Sequence, residues 1–101
     1  MERKNMWEQY TEEQHAELES LCNRYKECLD AAKTERECVT LGIRMAKEHG
    51  YRDLSECIAE NTALKTGDKI YANCMGKALV LFQIGEKPLE EGMNILGAHV
   101  D

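Results

Sequence analysis

Two apolar segments near the middle of the second half constrain this chain more than anything else in it. "KIYANC" (69–74) alternates, with Ile70, Ala72 and Cys74 on one face. "ALVLFQI" (78–84) is apolar almost throughout, the pattern of a strand buried on both faces. The link through Cys74-Met75-Gly76-Lys77 is short and carries a glycine, so the spacing predicts an antiparallel hairpin. A polar connection, "GEKPLEEG" (85–92), follows; Pro88 suits a turn, and Glu90-Glu91-Gly92 a short helical turn. The last segment, "MNILGAHVD", is apolar on both faces and predicts a strand over 93–99. Such a strand needs neighbours on both edges and helices on both sides. No crossover helix follows it, so the core is expected to be incomplete.

The first half reads as helical. Leu18, Leu21, Cys22, Tyr25, Leu29 and Ala32 form one stripe at helical spacing and predict a helix over 11–32. Thr11 with Gln14 fits a capping box, as does Thr34 with Glu37. The second box opens a helix over 34–49, which Gly50 ends. Gly42 within it is expected to allow close packing against the first helix. Residues 51–66 have weak helical spacing and predict a short helix or turn before Gly67-Asp68. The fold class is therefore α+β locally: an N-terminal helical hairpin, then a β-hairpin and a further strand. The 101 residues allow one domain at most, and 1–101 reads as a single domain that is not complete.

Composition removes several function classes. Hydrophobic residues at 43% and charged residues at 32% describe a globular chain rather than a disordered one. The net charge of −6 is spread over both halves, with 8 basic and 11 acidic residues in 1–50 and 5 and 8 in 51–101. No basic patch emerges, which argues against nucleic acid and against an anionic membrane. The apolar runs are too short to span a bilayer, and "MERKNMWEQY" lacks the apolar stretch of a secretory signal. The five cysteines (22, 28, 38, 57 and 74) are odd in number and contain no C-x-x-C. They predict free thiols buried as small hydrophobes in a reducing, cytoplasmic setting, not a disulfide framework or a cysteine zinc cluster.

His99 and Asp101 are the candidate chemistry. In a strand, residues i and i+2 share a face, so imidazole and carboxylate would point the same way. A carboxylate beside a metal-bound histidine fixes its tautomer and raises its basicity. Alone, H-x-D is a weak motif that also suits a polar strand end in water. His15 and His49 sit among charges on helices, and His49 fits a helix C-terminus. Trp7 and Tyr10 are expected to staple the N-terminal segment onto the core, and Tyr71 to pack on the hairpin. Glu12, Glu13, Glu17 and Glu19 read as a solvated helix face, and Met45, Met75 and Met93 as core or turn residues.

The string "LKTGDKIYANCMGKALVLFQIGEKPLEEGMNILGAHVD" closely resembles the N-terminal region of the M18 metalloaminopeptidases, the aspartyl and vacuolar aminopeptidase group, and most nearly its clostridial branch. "GDKIY", "IGEKPLEEGMNI" and "GAHVD" carry the resemblance, with "TERECV" and "HGYRDL" upstream. The resemblance implies the N-terminal part of a three-layer α/β catalytic domain. It implies an enzyme that removes N-terminal residues, often acidic ones, from peptides with a two-metal centre, usually zinc, in large assemblies that are commonly dodecamers. It makes His99 a metal ligand and Asp101 the group that holds its imidazole. In such a centre one metal polarises the scissile carbonyl and a metal-bound water attacks it. The remaining ligands and the general-base glutamate come from later regions of the family's sequences, so this chain is expected to be inactive alone.

Two other readings compete: a non-catalytic helical/β interaction or oligomerisation module, and a plain α+β domain whose H-x-D is incidental. In any of them, apolar strands without sheet neighbours predict self-association or non-native pairing of the last strand.

Overall fold

The computed structural model describes residues 3–100. The chain divides into two compact units, one through Asp30 and one from Ala31 onward. The division has a local physical basis: neither of the first two helices contains a buried residue.

The first unit holds α1 (Met6–Gln9) and nearly all of α2 (Glu12–Ala31). The Asn5 side chain accepts from the Trp7 N–H at 2.9 Å and caps α1. A reciprocal box opens α2. The Thr11 N–H donates to Gln14 Oε1 at 2.9 Å, and the Gln14 N–H donates to Thr11 Oγ1 at 3.2 Å. Leu21, Tyr25 and Leu29 of the predicted stripe are all more than half exposed. Trp7 and Tyr10 close on His15 of α2, at ring-centroid distances of 4.6 and 5.7 Å.

The second unit opens with α3 (Glu35–Glu48). Thr34 Oγ1 accepts from the Glu37 N–H at 3.1 Å, and the Glu37 carboxylate accepts from the Lys33 N–H at 3.3 Å. The helix ends in a Schellman arrangement: Gly50 has φ +85°, its N–H donates to the Lys47 carbonyl, and the Tyr51 N–H donates to the Ala46 carbonyl. Then come β1 (Arg52–Asp53), α4 (Leu54–Ala59), β2 (Lys69–Cys74), β3 (Ala78–Gln83) and a single 3-10 turn (Leu89–Glu91).

The sheet order is β1-β2-β3, with β1 parallel to β2 and β2 antiparallel to β3. The register pairs Ile70 with Phe82, Tyr71 with Leu81, and Asn73 with Leu79. Val39 and Ala46 of α3, Cys57 of α4, and Ile70 and Tyr71 of β2 make the buried core. Sequence spacing gave 51–66 as a short helix or turn. The structure divides it into β1 and α4, with Asp53 capping α4 through a 2.9 Å bond from the Ser55 N–H. A strand of two residues has no periodicity to read; parallel pairing with β2 creates it.

Gly42 supplies the close approach that binds α3 to the sheet. A Cβ placed there would stand 2.7 Å from Leu79 Cδ2. The neighbour that needs the glycine is therefore Leu79 of β3, whereas the sequence suggested the first helix. β3 is only shallowly covered on both faces. Leu79 is half-buried, but Val80, Leu81 and Phe82 are 40%, 49% and 43% exposed. Among the described residues β3 has a sheet neighbour on one edge only.

The hairpin tip places Met75 at φ +60° and Gly76 at φ +71°. The Lys77 N–H donates to the Cys74 carbonyl at 3.1 Å, and the Gly76 N–H to Asn73 Oδ1 at 2.8 Å. From α3, Arg36 Nη1 donates to the Met75 carbonyl at 3.2 Å.

The predicted strand over 93–99 is not formed. Residues 92–100 carry no regular secondary structure, and Ile95 and Leu96 are 83% and 97% exposed. A strand exists through its ladder, and no described strand lies beside this segment.

Two stability outcomes follow from this packing. Gly42→Val, which adds branched bulk against Leu79, lowers stability by about 1–3 kcal/mol. Gly42→Ala stays near the parent, because a gain of about 1 kcal/mol in helix propensity offsets the contact. Chemical denaturation of both variants checks this. At the tip, Met75→Asn raises stability by about 1 kcal/mol, since asparagine tolerates the left-handed conformation that methionine resists. A thermal melt against the parent reads that change.

Candidate metal centre

His99 follows the 3-10 turn by eight residues, in the segment without regular structure, and is exposed. Asp101 lies outside the described residues. The alternation argument for a shared face of His99 and Asp101 therefore has no strand to rest on here. Local sequence places the pair after "NILGA" but does not supply the sheet neighbours that would hold that run extended.

A catalytic zinc site takes three protein ligands and an open position. Among the described residues no group of three or more His, Cys, Asp or Glu side chains stands close enough to hold a metal. The described donors thus do not make a complete centre. His99 offers one imidazole, and no reaction step can be drawn through a metal from the residues present.

His15 and His49 serve packing and capping. His15 lies against Trp7 and Tyr10. His49 caps α3: its backbone N–H donates to the Ala46 carbonyl at 3.0 Å, and Nδ1 lies 2.9 Å from the Met45 carbonyl. A carbonyl only accepts, so Nδ1 carries the proton and the ring is committed to the helix end. Lys69 Nζ reinforces that end, donating to the His49 carbonyl at 3.3 Å from a position 5.7 Å from the Tyr51 ring centroid. Tyr71 is buried in the core. Glu12, Glu13, Glu17 and Glu19 are all exposed.

The thiols depart in part from the sequence expectation. All five are free, but only Cys57 is buried; Cys28 and Cys38 are half-buried, and Cys22 and Cys74 are exposed. Cys22 lies on α2, which buries no residue, and Cys74 on the outer end of the hairpin. The Arg36 clamp on Met75 spans 39 positions and has no sequence signal, because both partners are ordinary surface residues when read locally.

With this geometry in place, the comparisons identify the lineage. Residues 28–101 match the family described as aminopeptidase I zinc metalloprotease (M18). A probable M18 family aminopeptidase 1 from Clostridium acetobutylicum is 47% identical over 100 residues, covering 99% of this chain and 22% of that protein. A protein of the same name from Borrelia garinii subsp. bavariensis is 33% identical over 101 residues, covering 100% of this chain and 21% of that protein. The crystal structure of aminopeptidase I from Borrelia burgdorferi B31 superposes with a TM-score of 0.79 at 31% identity, over 89% of this chain and 21% of that one. The chain belongs to the M18 aminopeptidase family. It spans about a fifth of the length of the curated relatives it matches.

Thiol reactivity checks the burial pattern. A disulfide reagent should modify Cys22 and Cys74 first, Cys28 and Cys38 more slowly, and Cys57 only as the fold opens. Mass spectrometry of a labelling time course reads the order.

Proposed function

We propose that this chain supplies part of the catalytic domain of a zinc-dependent M18 aminopeptidase that removes N-terminal residues from peptides. In this reading His99 is a ligand of a two-metal centre and Asp101 orients its imidazole. The match of residues 28–101 to the family carries the proposal, because it spans the β2–β3 hairpin and the "GAHVD" run together. The fold agrees: α3 and the sheet form a packed platform, and the segment with His99 leaves it after β3 and one helical turn. Peptides with acidic N-terminal residues are the first substrate class to examine.

The donor set defines the division of labour. One imidazole and one carboxylate cannot hold two metals, so the other ligands and the general base come from polypeptide beyond these 101 residues. The chain alone is expected to lack peptidase activity and to bind zinc weakly. When zinc is bound in a complete centre, it supplies Lewis acidity. This chain's contribution is to place and orient a single imidazole. The exposed thiols of Cys22 and Cys74 suit a reducing compartment, and the cytoplasm is the proposed location.

The test is a chimera in which this sequence replaces its counterpart in the Clostridium acetobutylicum relative. The parent chimera should hydrolyse aminoacyl substrates and lose activity to a chelator. His99→Ala should abolish turnover, Asp101→Asn should reduce metal affinity or rate by about 10–100-fold, and His49→Gln should leave the rate near the parent's. An active His99→Ala chimera with normal metal content would refute the assignment.

A further inference from the structure

We propose that Asp68 is a positioning residue for the reaction proposed above: its carboxylate closes the turn that fixes where the His99 segment leaves the sheet. The inference rests on the reading of His99 as a ligand, and it concerns only how this chain holds that segment.

Beyond Gln83 the hairpin pairing continues for one more residue. The Ile84 N–H donates to the Asp68 carbonyl at 2.9 Å, and the Gly67 N–H donates to the Ile84 carbonyl at 2.8 Å. Both backbone groups of Ile84 are therefore held by one turn, Lys65 to Asp68. Ile84 is the residue at which the chain passes from the hairpin to the segment that carries His99. Whatever neighbours that segment meets further on, its starting point and its initial direction are set at Ile84.

The turn is in its own right held by Asp68. Gly67 stands at φ +89°, a conformation that favours glycine but does not close a turn unaided. The Asp68 N–H donates to the Lys65 carbonyl at 3.0 Å, and Asp68 Oδ2 accepts from the Lys65 N–H at 3.0 Å. Lys65 and Asp68 thus bind each other twice, once through backbone alone and once through the carboxylate. Arg52 Nη2, on the first residue of β1, stands 4.0 Å from that same oxygen. The Asp68 side chain is 19% exposed and that of Arg52 49%. An ion pair of that length with an exposed partner contributes little. The bond from the Lys65 amide, a charge-assisted one to a carboxylate partly withdrawn from water, is the stronger of the two. One side chain therefore ties the entry of β2 to the exit of β3.

Two variants, made in the intact chain and in the chimera, test this. Asp68→Ala removes the acceptor, whereas Asp68→Asn keeps an oxygen for the Lys65 N–H and drops the charge facing Arg52. Hydrogen exchange of the intact chain should show the Gly67 and Ile84 amides about 10-fold faster in Asp68→Ala and close to the parent in Asp68→Asn. Ala72 and Val80, paired in the middle of the hairpin, should keep the parent's rates in both. In the chimera, Asp68→Ala should lower kcat about 10-fold with KM within about twofold of the parent's, and Asp68→Asn should restore kcat. Unchanged exchange at Gly67 and Ile84 in Asp68→Ala overturns the proposal. Faster exchange there with kcat at the parent's value also overturns it, since the turn then positions nothing that reacts. So does equal loss in the two variants, and so does a rise in exchange that extends to Ala72 and Val80, the mark of a purely structural role. An active His99→Ala chimera overturns the reading on which the proposal rests, and is told apart from these failures because Asp68 is untouched in it.

Discussion

The second unit is organised by the close approach of α3 to β3 at Gly42. Gly42 lets α3 descend onto β3 until Leu79 Cδ2 occupies the space a side chain would fill. From that contact the remaining order follows. Val39 and Ala46 lie on α3 one turn either side of Gly42, and both are buried. β3 is fixed under the helix at Leu79, β2 is fixed to β3 by six paired residues, and β1 is fixed to β2 by two. A glycine inside a helix costs about 1 kcal/mol of propensity relative to alanine. Burial against the sheet offsets it, since each buried aliphatic side chain contributes about 1.5–3 kcal/mol.

What the sequence disclosed was whatever nearest neighbours decide. The box of Thr11 and Gln14, the Thr34 cap, the Gly50 stop and the β2–β3 hairpin are all set by residues within a few positions of one another, and all stand in the structure. Features set by distant chain were hidden. β1 exists because Ile70 and Tyr71 lie beside Arg52 and Asp53; Arg36 finds the Met75 carbonyl across 39 positions of chain. The apolar pattern of 93–98 states a strand's requirements accurately, but hydrophobicity cannot supply the neighbour that turns an apolar run into a ladder. The same limit governed the candidate site. His99 and Asp101 stand out as an H-x-D pair whose metal role comes from the resemblance, and their expected common face depends on a strand the described residues do not form.

Membership in the M18 family and the geometry meet at one point. The matched region begins near the end of α2 and takes in the whole second unit, so the family's signature coincides with the better-packed part of the chain. Within it, chemistry and scaffold are separated. The buried residues are all apolar or aromatic and belong to α3, α4 and β2, while the one candidate ligand, His99, lies outside every helix and strand. Such a layout suits the proposed reading, in which the scaffold is settled locally and the candidate ligand stands outside it.

The Arg36 clamp joins two places that would otherwise loosen independently. A guanidinium on the first turn of α3 holds a carbonyl at the bend between β2 and β3, so that helical start and strand reversal become one mechanical unit. Fraying at either end removes a tether from the other. A helix start facing a turn with a left-handed methionine is thereby a place where motion must be concerted.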